Sequence, residues 1–174
     1  VSTTIKMESA ATENHASHNS HSDSTAIKPP VDTKLKVVFD TYFLLKDALV
    51  KTDAKAAATV AKDALTALTA VKMGELAMDV HLVWMKEMNG LMAGAKSISE
   101  TQDIKRQREF FISFSKSMYE LIKVSKYETP VYLQFCPMAN GGKGANWLSK
   151  ENVIKNPYYG SQMMTCGKTI ETIQ

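Results

Sequence analysis

Apolar side chains recur at steps of three and four residues through four successive stretches of this chain, which restricts its middle to amphipathic helices packed on one another. Leu35, Val38, Phe39, Tyr42, Leu45 and Leu49 fall on one face of a first helix. Ala57, Val60, Ala61, Ala64, Leu68 and Val71 keep the same period in an Ala-rich second segment, whose small residues allow close helix approach. A third segment, over about 75–93, carries Leu76, Val80, Val83, Trp84 and Leu91 on one side and a methionine row on another. It is expected to be buried on two sides. Ile104, Phe111, Phe114, Met118, Leu121 and Ile122 carry a fourth helix to about residue 125.

Local signals suggest where these helices begin and end. Asp32 or Thr33, after Pro29 and Pro30, is placed to cap the first, and Thr52 or Asp53 the second, which should end near Gly74. Gly90 and Gly94 weaken the end of the third, and Ser97 with Glu100, or Ser99 with Gln102, offers a capping box for the fourth. Short connections make sequential helices antiparallel neighbours. The expected fold is all-α, an antiparallel up-down four-helix bundle. Beyond Pro130, Val131 to Phe135 alternates like a short strand, and the remainder is an irregular, Gly-, Asn- and Pro-rich segment. Trp147, Leu148, Tyr158 and Tyr159 should dock that segment on the bundle.

A length of 174 residues suits one core plus a tail. Residues 1–31 are rich in Ser, Thr, Asn and His with few large apolar groups, and read as a disordered tether; residues 32–174 form the single domain. The formal net charge of +3 is dispersed, which argues against nucleic acid or an anionic membrane as the main partner. Lys105, Arg106 and Arg108 read as a solvated helix face, with Arg108 available to pair with a carboxylate. No stretch has the roughly 20 apolar residues of a membrane-spanning helix. The chain begins at Val1, so a removed export signal or simple trimming is expected.

Chemistry concentrates in sulfur. The chain holds two cysteines and ten methionines, and Cys136-Pro137-Met138 is mirrored thirty residues later by Met163-Met164-Thr165-Cys166-Gly167. Each thiol has a thioether two residues away, and thiolate with thioether favours Cu(I) over zinc. The same two cysteines could instead close a structural disulfide. Both readings stand at this point. On the third helix Met78, His81, Met85, Met88 and Met92 line one stripe. It is a row of soft ligands, although the favoured explanation is flexible packing beneath the docked tail, with His81 hydrogen-bonded at its edge. His15, His18 and His21, with Met7 upstream, are spaced for weak Cu(II) or Zn(II) capture. No redox Cys-x-x-Cys pair, zinc-protease helix, phosphate loop or nucleophile elbow is present, and Gly-Gly-Lys-Gly at 141–144 reads as a flexible loop. A non-catalytic protein is expected.

Gln107-Arg108 with Phe111, Cys136-Pro137-Met138-Ala139, Trp147-Leu148-Ser149, Asn156-Pro157-Tyr158-Tyr159-Gly160, and Met163 or Met164 before Cys166-Gly167 occur in this order. Over about residues 32–174 the chain thereby resembles a bacterial envelope domain family of unassigned function, also found fused to periplasmic adaptor subunits of copper and silver efflux pumps. The resemblance implies a helical domain, a periplasmic or lipid-anchored location and a link to heavy-metal efflux. It makes Cys136, Met138, Met163, Met164 and Cys166 candidate ligands, and Trp147 and the Asn156 to Gly160 turn scaffold. The expectation is a Cu(I) buffer or carrier that meets an efflux adaptor; the alternative is an envelope interaction module with a Cys136–Cys166 disulfide.

Overall fold

The computed structural model describes residues 33–174, so the Ser/Asn/His-rich segment, with Met7, His15, His18 and His21, lies outside the described residues. A 3-10 turn over Thr33–Leu35 leads into helices α1 (Lys36–Val50), α2 (Ala54–Thr69), α3 (Met78–Ser99) and α4 (Ile104–Ser125). Strands β1 (Val131–Cys136), β2 (Ala145–Ser149) and β3 (Lys168–Ile173) follow. Each helix packs on the next in sequence, and β2 lies against α4. Packed neighbours joined by short connections alternate in direction, which is the up-down bundle the periodicity predicts.

The helix ends follow backbone satisfaction more than composition. Asp53 caps α2 as expected, its carboxylate accepting the Ala56 N–H at 2.9 Å. The reversal before it needs Thr52 at φ 58°, with the Asp53 N–H donating to the Ala48 carbonyl. Helix α2 stops at Thr69 rather than near Gly74, because a second 3-10 turn, Met73–Glu75, takes up the intervening chain. Helix α3 does not end around Gly90 and Gly94 but runs through both to Ser99. A Cβ at Gly94 would stand 3.0 Å from the Phe114 ring, so this glycine admits α4 rather than ending α3. The cap of α4 is Asp103, which accepts from the Lys105 and Arg106 N–H groups, and the Ser99 hydroxyl donates to the Lys96 carbonyl. Helix α3 is buried on one side only: Val80, Trp84, Leu91, Ala95 and Ile98 enter the core, while Met78, Leu82 and Met85 face outward.

The C-terminal segment is not irregular, and the molecule is not purely α-helical. Its three strands form an antiparallel sheet in the order β2-β1-β3. β1 falls where the alternation predicts it, pairing Leu133 with Leu148 and Gln134 with Trp147 on one side. β2 shows no alternation because Ala145, Trp147, Leu148 and Ser149 are all buried, and β3 is an edge strand rich in Lys, Thr and Glu. Aromatic rings join sheet to bundle. Tyr42 of α1 stacks on Phe111 of α4 at 5.3 Å, Phe111 meets Tyr158, and Tyr158 meets Trp147 edge-on at 6.0 Å. The buried Tyr42 hydroxyl accepts the Leu148 N–H at 2.9 Å and lies 2.8 Å from the Ser115 hydroxyl, tying β2, α1 and α4 together.

Candidate functional site

Cys136 is the last residue of β1 and is fully buried. β3 pairs Lys168 with Phe135, so the turn entering β3 must pass beside the end of β1. That placement brings the Cys166 Sγ within 2.9 Å of the Cys136 Sγ, although thirty residues separate the two. The turn closes with the Cys166 N–H donating to the Met163 carbonyl at 3.0 Å. Gly167, at φ 141°, is required here: a Cβ would stand 2.8 Å from the Phe135 carbonyl oxygen and 2.9 Å from the Trp147 ring.

Asn156, fully buried, holds this turn from behind. Its Nδ2 donates to the Cys166 carbonyl at 2.8 Å, its Oδ1 accepts the Tyr158 N–H at 2.8 Å, and its backbone N–H donates to the Met164 carbonyl at 2.9 Å. Tyr159 reaches the other cysteine's loop, its hydroxyl donating to the Met138 carbonyl at 2.7 Å, and the Tyr158 hydroxyl donates to the Asn146 carbonyl. The stretch from Asn156 to Gly160 is therefore scaffold with a specific task, which is to hold both cysteine loops in register.

The hydrogen bond to the Cys136 thiol, aided by burial, pushes the Cys166 thiol above its ordinary range, while a backbone hydrogen bond from Met138 acts in the opposite direction. A cleft of about 300 Å³, bounded by Phe135, Pro137, Cys166, Gly167 and Lys168, opens beside the pair. A disulfide needs sulfurs about 2.05 Å apart. Two thiolates sharing one metal at bonds of about 2.3 Å stand roughly 3.7 Å apart. The observed separation is intermediate, so either state needs a shift of less than about 1 Å, within reach of small side-chain rotations.

Of the other candidate ligands, Met138 is half exposed on the loop after Cys136, and Met163 and Met164 are partly buried in the turn before Cys166. Among the described residues no three His, Cys, Asp or Glu side chains gather as a metal cluster, so His81 does not join the two thiols. It belongs to α3, where its Nδ1 is bonded to the Met73 carbonyl at 2.9 Å. The methionine row does not fill a seam beneath the sheet: Met78 and Met85 are 75% and 49% exposed, and only Met88 and Met92 pack against the core.

Two residues carry more than their pattern suggested. Among the described residues Arg108 has no carboxylate pair; its Nε donates to the Pro157 carbonyl at 2.8 Å, and its Nη2 donates to the Leu49 carbonyl and the Thr52 hydroxyl. It links α4 to the end of α1 and to the scaffold of the cysteine turn. Gln107, fully buried, donates to the Ala54 and Thr101 carbonyls and so joins the α1–α2 and α3–α4 connections. Gln107 falls on the three- and four-residue period of Ile104, Phe111, Phe114 and Met118, so a polar residue on the apolar face is the signal that marks it.

The family model described as a protein of unknown function (DUF3347) matches residues 38–129, more than half of the chain. The chain belongs to this family. The matched span covers most of α1 and all of α2, α3 and α4, and ends before the sheet, so Cys136 and Cys166 both lie beyond it. No curated protein and no solved structure matches the chain.

Proposed function

We propose that this domain is a non-catalytic, soft-metal-binding protein of the bacterial envelope, periplasmic or lipid-anchored, that buffers Cu(I) or passes it to a heavy-metal efflux adaptor. The observation that supports it is the convergence of Cys136 and Cys166 beside an open cleft, with Met138, Met163 and Met164 on the same two loops. Two thiolates and one or two thioethers make a three- or four-coordinate set suited to Cu(I). Binding would displace the thiol protons. The test is an anaerobic Cu(I) titration of the reduced protein against a chromophoric chelator, beside the Cys136→Ser, Cys166→Ser variant. Loss of one tight equivalent in the variant supports the reading, and an unchanged number of tight equivalents without the thiols sinks it.

The complete burial of Cys136 favours a second reading, an interaction module stapled by a Cys136–Cys166 disulfide. Two thiols would give up two protons and two electrons to an envelope thiol oxidant as the sulfur–sulfur bond forms. Mass spectrometry of protein from its native compartment, alkylated on lysis, separates the readings. A blocked pair supports the staple, and two alkylated thiols support the metal site.

A further inference from the structure

Methionine is among the residue types most often buried, yet two of them are exposed on the first half of α3 and a third in the 3-10 turn before it. Met73, Met78 and Met85 are 45%, 75% and 49% exposed. Met78, His81 and Met85 are spaced by three and four residues, so their side chains leave the same face of the helix. Met73, in the 3-10 turn before the helix, has its carbonyl 2.9 Å from His81 Nδ1, which sets its backbone beside His81. A carbonyl can only accept, so Nδ1 carries the proton. In the neutral ring Nε2 then has the free lone pair with which imidazole binds a metal, and the ring is oriented by the backbone as ligating histidines commonly are. Leu82, also exposed, adds an apolar flank.

We infer that His81 Nε2 with the thioethers of Met78 and Met85, and Met73 within the same patch, forms a second, thiol-free site for a soft monovalent cation, Cu(I) or Ag(I). The donor set is one borderline imidazole and two or three soft thioethers, which selects those ions over zinc or hard cations. It differs from the cysteine site in one functional respect. Thioethers form no disulfides, so this site stays available in an oxidising compartment where Cys136 and Cys166 close on each other. Its position on the outer face of α3 makes it accessible to an incoming ion.

The inference is independent of the thiol reading, and the test keeps them apart. The full chain carrying Cys136→Ser and Cys166→Ser, labelled with carbon-13 at the methionine methyls, is titrated with silver nitrate in chloride-free buffer. The expected result is saturable movement of the Met78 and Met85 methyl signals at one equivalent. His81→Ala should weaken binding at least roughly tenfold, a change of about 1.4 kcal/mol. Met78→Leu with Met85→Leu should abolish it, and replacing His15, His18 and His21 by Ala should leave it intact. Unmoved Met78 and Met85 signals, or unchanged affinity in His81→Ala, overturn the site. Wild-type protein oxidised to the disulfide, titrated in the same way, answers the question should the serine variant fail to fold.

Discussion

Asn156 shows how one side chain can govern a site it does not enter. Its amide satisfies the Cys166 carbonyl and the Tyr158 N–H, both 2.8 Å away. Asn156→Ala leaves those groups without partners inside the fold, at a cost of about 2–4 kcal/mol. Urea unfolding measures the loss, and faster alkylation of Cys166 in the native state would show that the turn itself has loosened. Asp40 presents a different single-residue case. Burial raises its pKa, but the ion pair with Lys36 at 2.7 Å and the hydrogen bond from Tyr127 outweigh that, and the net shift is downward. A carboxylate held low stabilises the fold above its ordinary value of about 3.9, and that stability is lost as pH falls through the lower folded value. Asp40→Asn should therefore lower stability at neutral pH and flatten its acid limb. Parallel urea titrations at pH 7 and in the acid range check the sign.

At the scale of elements, the two glycines of α3 separate propensity from packing. Gly90 is exposed, and a Cβ there meets nothing closer than the Ser117 hydroxyl at 3.4 Å, so Gly90→Ala should stabilise the protein by about 0.5–1 kcal/mol. Gly94 is buried, with Phe114 ring and Cβ atoms 3.0 and 3.2 Å from the added carbon, so overpacking should outweigh propensity and destabilise by about 1–2 kcal/mol. Urea midpoints moving in opposite directions would confirm the difference. The same pair explains why helix boundaries were less legible than helices. The apolar period of α4 reports burial directly, with Phe111, Phe114, Met118, Leu121 and Ile122 all in the core. A glycine can mark a helix end or a close approach, and only the position of Phe114 decides between them. β1 was readable through Val131 and Leu133, buried on either side of the half-buried Tyr132, although the register shift at Leu133/Gln134 breaks the alternation beyond them; β2 was not, since Trp147, Leu148 and Ser149 are buried in succession. β3, polar along most of its length, resembles a loop until β1 supplies its partner.

On the scale of the whole molecule, the sulfur pattern at Cys136 and Cys166 was legible because both cysteines sit in repeated Cys/Met contexts and either use of them brings the thiols together, whereas of the sheet that does so only β1 was announced by the residues. That sheet is no appendage. Arg108 of α4 bonds the Pro157 carbonyl, Tyr42 of α1 accepts from Leu148, and the Tyr119 hydroxyl of α4 donates to Glu171 of β3 at 2.6 Å. Removing the segment after residue 129 would strip partners from Tyr42, Phe111 and Arg108 together, so bundle and sheet should unfold as one cooperative unit. The two tryptophans are placed to test this, since Trp84 lies in α3 and Trp147 in β2, both in the core. In single-tryptophan variants, Trp147→Phe leaves a reporter of the bundle and Trp84→Phe a reporter of the sheet. Each substitution shifts stability by its own amount, so each fluorescence transition is compared with far-ultraviolet circular dichroism of the same variant. Coincident midpoints in both variants are expected. If the Trp147 signal is lost before the helical ellipticity, the sheet opens independently of the bundle, and the Cys136 and Cys166 loops could then separate while the helices remain folded.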